Sequence, residues 1–240
     1  MPDFLRIYAR QEYLTPGADR AVEIVADRAK PGENTRLLDM GSGKGEAAAT
    51  LAAEFACQVF AVETHDPFIH LSAAKFWHFN LRDLVTLLRA NGRYVPLRDA
   101  SMDAAYCIGA PSIIGRDDAL RELARVTKPG GWVVCSDIVW RTIPAETLGK
   151  EWGWLADAAF VSADDCRAAI EKAGLHVEDV IMHPREDWED YWNPMLEVAD
   201  EAKTAQPADI FFADEIEHGI AIEQRAVETY IDYATFVARK

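Results

Sequence analysis

The stretch Leu37-Leu38-Asp39-Met40-Gly41-Ser42-Gly43-Lys44-Gly45-Glu46 constrains this chain more than any other. An apolar run ends on an acid, passes through three alternating glycines and opens a helix. Strand, glycine turn and helix in that order belong to an open α/β sheet, where a ligand lies against bare backbone at the carboxyl end of the strand. Glycine at Gly41, Gly43 and Gly45 admits positive φ and removes the Cβ that would hold a ligand away.

The spacing narrows the ligand. A dinucleotide loop reads G-x-G-x-x-G or A and seats a pyrophosphate on the helix N-terminus. Here it reads G-x-G-x-G, and Glu46 stands at the sixth position. A carboxylate there repels phosphate, and Asp39 adds a second negative charge. Both suit a phosphate-free ligand with a cationic end. The loop resembles the first motif of class I S-adenosylmethionine-dependent methyltransferases; a nucleotide-type loop and a plain strand-to-helix turn are the alternatives. The resemblance implies that Asp39 holds the methionine amino group, directly or through water, and that Gly41, Ser42 and Gly43 lie along the cofactor.

Three further segments stand where that family has them. Cys57 to Glu63 reads as a buried strand ending in an acid, about 20 residues past the glycines, the distance at which an acid reaches ribose hydroxyls. The resemblance gives Glu63 that role, with Thr64 beside it. Val85 to Ala110 resembles the third and fourth strands, and Pro96 to Asp103 matches the family's "LPF-x-D-x-S-F-D" signature. Where relatives often carry Asp beside the adenine, this chain has Asn91, followed by Gly92; Asn can both accept and donate. The strand Ala104 to Ile108 opens into Gly109-Ala110-Pro111, a loop that in the family lies beside the sulfonium; the resemblance thus implies cofactor contact by Ile108 and Gly109. Asp117 caps a helix that Pro129-Gly130-Gly131 stops, and Trp132 to Ser136 forms the next strand. The R-V-x-K-P-G-G junction, Arg125 to Gly131, is a structural hallmark of the family.

The implied fold class is α/β, a Rossmann-like, seven-stranded, mostly parallel sheet with helices on both faces and a helical lid insertion. One domain spans residues 1–240: an N-terminal arm and helix (1–30), a cofactor-binding core (31–140) and a substrate lid (183–229). The helix begins near Pro16-Gly17, with Ala21, Ile24, Val25 and Arg28 along it. A Trp-bearing segment, ETLGKEWGWLADAAF, precedes a capped helix from Ser162 to Ala173. His176 to Met182 and Tyr230 to Ala238 read as the last two strands, the final one antiparallel between the fifth and sixth. The family joins these by a short hairpin; the longer excursion here carries helical patterns on either side of Gln206-Pro207. Long excursions in compact domains usually carry function or structure of their own. With the arm, it is expected to cover the substrate.

Substrate contacts are expected from Tyr13 in the arm, Asp137 and Trp140 at the end of the fifth strand, and His183. Trp188, Tyr191 and Trp192 share one helix face at i, i+3 and i+4. That face is either an apolar or cation-binding pocket wall or ordinary core packing. His183→Ala should then alter turnover alone. The chain resembles a bacterial subgroup of small-molecule methyltransferases, of domain types 11 and 25.

Composition bounds the partners. A formal net charge of -15 disfavours phosphate backbones, so no nucleic acid is expected. No stretch approaches the ~18 apolar residues of a membrane span, and the start lacks a signal peptide's apolar run. A cytoplasmic protein with a small-molecule partner and no membrane partner is expected, and a homodimer is compatible with the chain. Cys57, Cys107, Cys135 and Cys166 show no metal-ligand spacing and are expected in the core; no metal is expected.

Methyl transfer from a sulfonium is an in-line displacement whose leaving group comes with the cofactor, so alignment and exclusion of water matter most. No residue carries a catalytic signature. The leading expectation is an S-adenosylmethionine-dependent enzyme that methylates a small molecule at O, N, S or C. The alternatives are a non-catalytic S-adenosylmethionine-binding module and a protein methyltransferase. Glu46 and the glycine spacing count against a nicotinamide enzyme.

Overall fold

The computed structural model describes residues 3–144, 148–157, 160–205 and 209–240. Its strands are β1 (Arg36–Met40), β2 (Gln58–Glu63), β3 (Val85–Arg89), β4 (Met102–Ile108), β5 (Thr127–Trp140), β6 (His176–Met182) and β7 (Ile231–Arg239). They form one sheet in the order β3-β2-β1-β4-β5-β7-β6. The first five run parallel, and β7 lies antiparallel between β5 and β6. Strand order reverses between β1 and β4, and a crevice opens at such a switch point beyond the carboxyl ends of the strands. Asp39 sits at that reversal, opposite Ala61 on β2 and Tyr106 on β4.

The helices are α1 (Asp3–Ile7), α2 (Ala18–Ala29), α3 (Glu46–Phe55), α4 (Asp66–His78), α5 (Pro111–Ile114), α6 (Arg116–Val126), α7 (Ala163–Lys172), α8 (Arg185–Ala205) and α9 (Ile210–Thr229). Alternation along each strand divides the core. Leu37, Val59, Ala61 and Tyr106 face α2, α3 and α4, whereas Leu38, Met40, Val62 and Cys107 face α6 and α7. Both faces are covered, which is why these strands read as continuous apolar runs. All four cysteines are free and buried.

Local signals placed most boundaries. Ser162 caps α7 by accepting from the Asp165 N–H. Asp117 does not cap α6: Gly115 occupies the cap position, and Asp117 stands in the first turn, where its charge still suits the helix dipole. The fifth strand begins at Thr127, directly after α6 and earlier than its apolar run implied. Gly130 and Gly131 are tied to the chain's end, since Lys240 donates its N–H to Gly131 O at 3.0 Å and accepts from the Gly130 N–H at 2.6 Å.

Residues 183–229 form α8 and α9, which pack on each other and on β7; Gln206-Pro207 lies outside the described residues. Their apolar faces build a third core cluster around Trp188, Trp192, Phe212, Ile216 and Tyr233. The Trp-bearing segment, of which residues 146–147 and 158–159 lie outside the described residues, adds a 3-10 turn at Lys150–Asp157 that contributes Leu155. Among the described residues, no helix is long and apolar enough to cross a membrane.

Candidate functional site

A groove of 370 Å³ opens at the switch point. Its floor is the glycine loop. The N–H groups of Gly41 and Ser42 both donate to Val62 O, at 2.9 and 3.0 Å, so the turn is fastened to β2. Gly43 has φ +54°, and a Cβ there would come within 3.0 Å of Leu14 Cδ1. Gly109 has φ +70°, and its Cβ would meet Thr15 at 2.8 Å. These two positions must be glycine because the N-terminal arm lies directly on them.

The acids are held differently. Glu63 Oε2 accepts from the Gly43 N–H at 2.8 Å, and Oε1 accepts from the N–H groups of Thr64 and His65 at 2.7 and 2.8 Å. Three backbone donors thus aim its carboxylate into the groove. Asp39 is 3% exposed, and its Oδ2 has no donor. Burial and the nearby Glu63 charge push its carboxyl up to about 8. The neighbouring Tyr106 phenol, itself without a well-formed hydrogen bond, and the Ala48 N–H pull the other way. The Ser42 hydroxyl is also buried without a partner. Buried polar atoms in native proteins are almost always hydrogen-bonded, so two such orphans in one groove mark where a ligand's donors belong.

The arm forms the roof, through Tyr8, Glu12, Tyr13, Leu14, Thr15 and Ala18. Several contacts fasten it. Lys44 Nζ donates to the carbonyls of Tyr8 and Gln11. Thr15 Oγ1 donates to the Tyr233 hydroxyl at 2.7 Å, which lies 3.1 Å from Ser136 Oγ. A lysine beside a glycine loop could serve a phosphate; here it holds the arm instead. Glu46 pairs with Lys75 of α4. Apolar walls come from Phe68, Ala90, Ile108, Ile113 and Ile114.

Of the cofactor residues expected from the sequence, Asp39, Gly41, Ser42, Gly43, Glu63, Thr64, Gly92, Ile108 and Gly109 all line the groove. Asn91 does not; its Oδ1 accepts from the Arg93 N–H at 2.9 Å, closing a turn. Of the substrate candidates, only Tyr13 lines it. Asp137 is buried beneath α5, where it accepts from the N–H and hydroxyl of Ser112 at 2.8 and 2.9 Å and so holds the start of that helix. Trp140 packs edge-on against Phe160. Trp188 and Trp192 are 2% and 1% exposed in the α8–α9 core, so that face is packing and not a groove wall. Tyr191 lies on the far side of the arm. No described residue of 183–229 lines the groove; α8 holds the arm that does.

His183 also corrects the sequence reading. Its Nδ1 lies 2.7 Å from Asp187 Oδ2 and its Nε2 2.8 Å from Thr235 Oγ1, away from the groove. Burial lowers its pKa in spite of Asp187. A histidine held neutral on folding binds its proton more readily when unfolded, so its contribution is present at neutral pH and is lost as pH falls through the unfolded value of about 6.5. His183→Ala should therefore cost about 1–3 kcal/mol, read as a lower urea midpoint, and leave affinity in the groove unchanged. The expectation that it alters turnover alone is withdrawn.

The signal that could have located the roof was Lys44: a base beside two acids in a loop unsuited to phosphate needs another occupation. Its acceptors are carbonyls more than 30 positions away, which no local pattern specifies.

Residues 38–135 match a family described as a methyltransferase domain. An O-methyltransferase of Penicillium expansum, cnsE, is 27% identical over 174 residues, 72% of this chain and 63% of that protein. The uncharacterized protein YjhP of Escherichia coli is 27% identical over 166 residues, 68% of this chain and 66% of that one. The matched segment thus spans less than two thirds of either relative. The crystal structure of a Geobacter sulfurreducens methyltransferase with S-adenosyl-L-homocysteine superposes with a TM-score of 0.80 at 19% identity, covering 99% of this chain and 98% of that one. Residues 38–135 are thus similar to a methyltransferase domain, and the whole chain shares the fold and sheet order of the Geobacter protein.

Proposed function

We propose that this chain binds S-adenosylmethionine in the groove and transfers its methyl group to a small-molecule nucleophile by in-line displacement. The observation that carries this reading is Asp39: a buried carboxylate with an unmet acceptor atom, in a glycine cradle beside Glu63. It suits a ligand with a cationic donor at one end and hydroxyls at the other. Asp39 takes the α-amino group and Glu63 the ribose hydroxyls. Phe68, Ala90 and Ile114 supply the apolar surroundings a purine needs. When bound, the sulfonium supplies both the methyl group and its own leaving group. The chain's part is alignment and exclusion of water. The arm from Tyr8 to Ala18 covers one side of the groove, and α8 and β7 hold it in place.

A groove of this volume, partly roofed by the arm, suits a small acceptor better than a polypeptide. A dedicated base is required only for an acceptor protonated at working pH. The sulfur keeps the electron pair of the broken C–S bond, and any acceptor proton leaves to solvent.

A thermal-shift titration with S-adenosylmethionine, S-adenosylhomocysteine and NAD tests this reading. Ligand at ~100 times its dissociation constant stabilises by about 2.7 kcal/mol. For a domain of this size that is roughly 5–11 °C, at about 2–4 °C per kcal/mol. A shift with both adenosyl compounds and none with NAD is expected. An NAD response with no adenosyl response would overturn it.

A further inference from the structure

A second cavity of 280 Å³ lies across the arm from the groove, between the arm and α8. We propose that it is a binding site for an organic ammonium ion of the aliphatic diamine type. Glu12, Tyr13, Thr15 and Ala18 line both cavities, so one layer of the arm divides them.

The wall of this cavity is rich in acceptors and short of donors. Gln11 is 5% exposed; its Nε2 donates to Tyr191 O at 2.8 Å, and its Oε1 has no donor. Leaving a buried acceptor unmet is costly, so the site calls for a ligand that brings an N–H. Glu12, Asp19 and Asp190 line the same cavity, and none takes a hydrogen bond or salt bridge from a described residue. Pro194 sits inside α8 and has no N–H to give the Asp190 carbonyl four residues earlier. The basic group on this wall, Arg10, is already paired with Glu197 and Glu201. Asp187 is likewise occupied, by Arg20 at 2.9 Å and by His183 at 2.7 Å. Arg20 partly offsets Asp19, and Lys44 partly offsets Glu12, but the acids outnumber these cations, which leaves net negative charge beside one buried unmet oxygen, with Tyr13 and Pro194 to cover methylene groups. A compact ammonium with three donors matches that set, whereas an anion has no donor to meet.

The net charge of -15 attracts any cation, so the test separates this site from the general field. Calorimetric titration with 1,4-diaminobutane at fixed ionic strength is compared with 1,4-butanediol, the neutral isostere, and with calcium chloride. The proteins are the full chain, Asp190→Asn, Gln11→Met and, as a remote charge control on α7, Glu171→Gln. One saturable diamine site is expected, weakened tenfold or more by Asp190→Asn and by Gln11→Met and unchanged by Glu171→Gln, with no heat from the diol. Asp190 is exposed, so its variant keeps the test valid should Gln11→Met disturb the arm. Absence of a saturable site, equal affinities for Asp190→Asn and Glu171→Gln, or tighter binding of calcium than of diamine would overturn the proposal. No arm of this test uses the adenosyl cofactor or turnover, so it stands or falls apart from methyl transfer.

Discussion

Asp39→Ala is expected to weaken S-adenosylmethionine binding by roughly 30-fold or more, because truncating one partner of a buried hydrogen-bonded charge pair costs about 2–5 kcal/mol. Asp39→Asn separates charge from shape. The amide keeps the volume of the side chain but loses the ion pair, so binding should fall while the free protein keeps or gains stability. The gain should appear above pH 8, where the parent carboxyl ionises, because that buried charge has an unmet Oδ2 and a second acid nearby.

The same residue makes binding depend on pH. With its carboxyl pushed up to about 8, Asp39 holds its proton at pH 7 in the free protein. A cationic ligand selects the ionised form, so below that value affinity should rise about tenfold per pH unit, levelling off above pH 8, with a proton released on binding. The sign for folding is opposite. A carboxyl raised on folding contributes stability that is full below its unfolded value near 4 and is lost as pH rises through about 8. Titration calorimetry in two buffers of different ionisation enthalpy reads the proton directly. Affinity that is flat from pH 6 to 8, or normal binding by Asp39→Ala, would place the cofactor elsewhere.

Trp192→Ala should lower stability by about 3–5 kcal/mol, the usual cost of truncating a buried tryptophan. At about 2–4 °C per kcal/mol this is a fall in Tm of roughly 6–20 °C. Trp192 is 1% exposed, lies 5.6 Å from Trp188 between ring centroids, and donates its Nε1–H to Glu223 Oε2 at 2.8 Å. The substitution therefore opens a cavity and also strips a donor from a carboxylate that burial has already raised to about 7. Trp192→Phe, which keeps most of the volume, should cost less and isolate the hydrogen bond. Cofactor affinity measured well below the transition should not change. A Tm within about 1 °C of the parent, together with an altered KM for an acceptor, would restore these rings to a substrate wall.

The tryptophans show where local pattern stops. Trp188, Tyr191 and Trp192 lie on one helix face at a spacing that any buried face shares. Only contact with α9 and Tyr233 makes that face core. Asn91 fails for a different reason: it stands at the expected end of β3, but its side chain closes on the Arg93 N–H, a contact of a type that Asn forms readily in any turn. Asp137 was placed correctly at a strand end, yet the start of α5 covers it.

By itself the sequence determined the strand-glycine-helix loop and the position of Asp39 and Glu63 at the ends of their strands, while the order of the sheet came only through the family resemblance. Those features rest on interactions among neighbours in the chain: alternation of apolar residues, glycine in a tight turn, a hydroxyl capping a helix. Tertiary structure alone decided what roofs the groove and which polar groups face it. Thr15 meets Tyr233, Gln11 meets Tyr191 and His183 meets Thr235 across separations of 218, 180 and 52 residues. Such contacts follow from how α8, β7 and the arm pack together, and a side chain chooses its hydrogen-bond partner only after that packing is set.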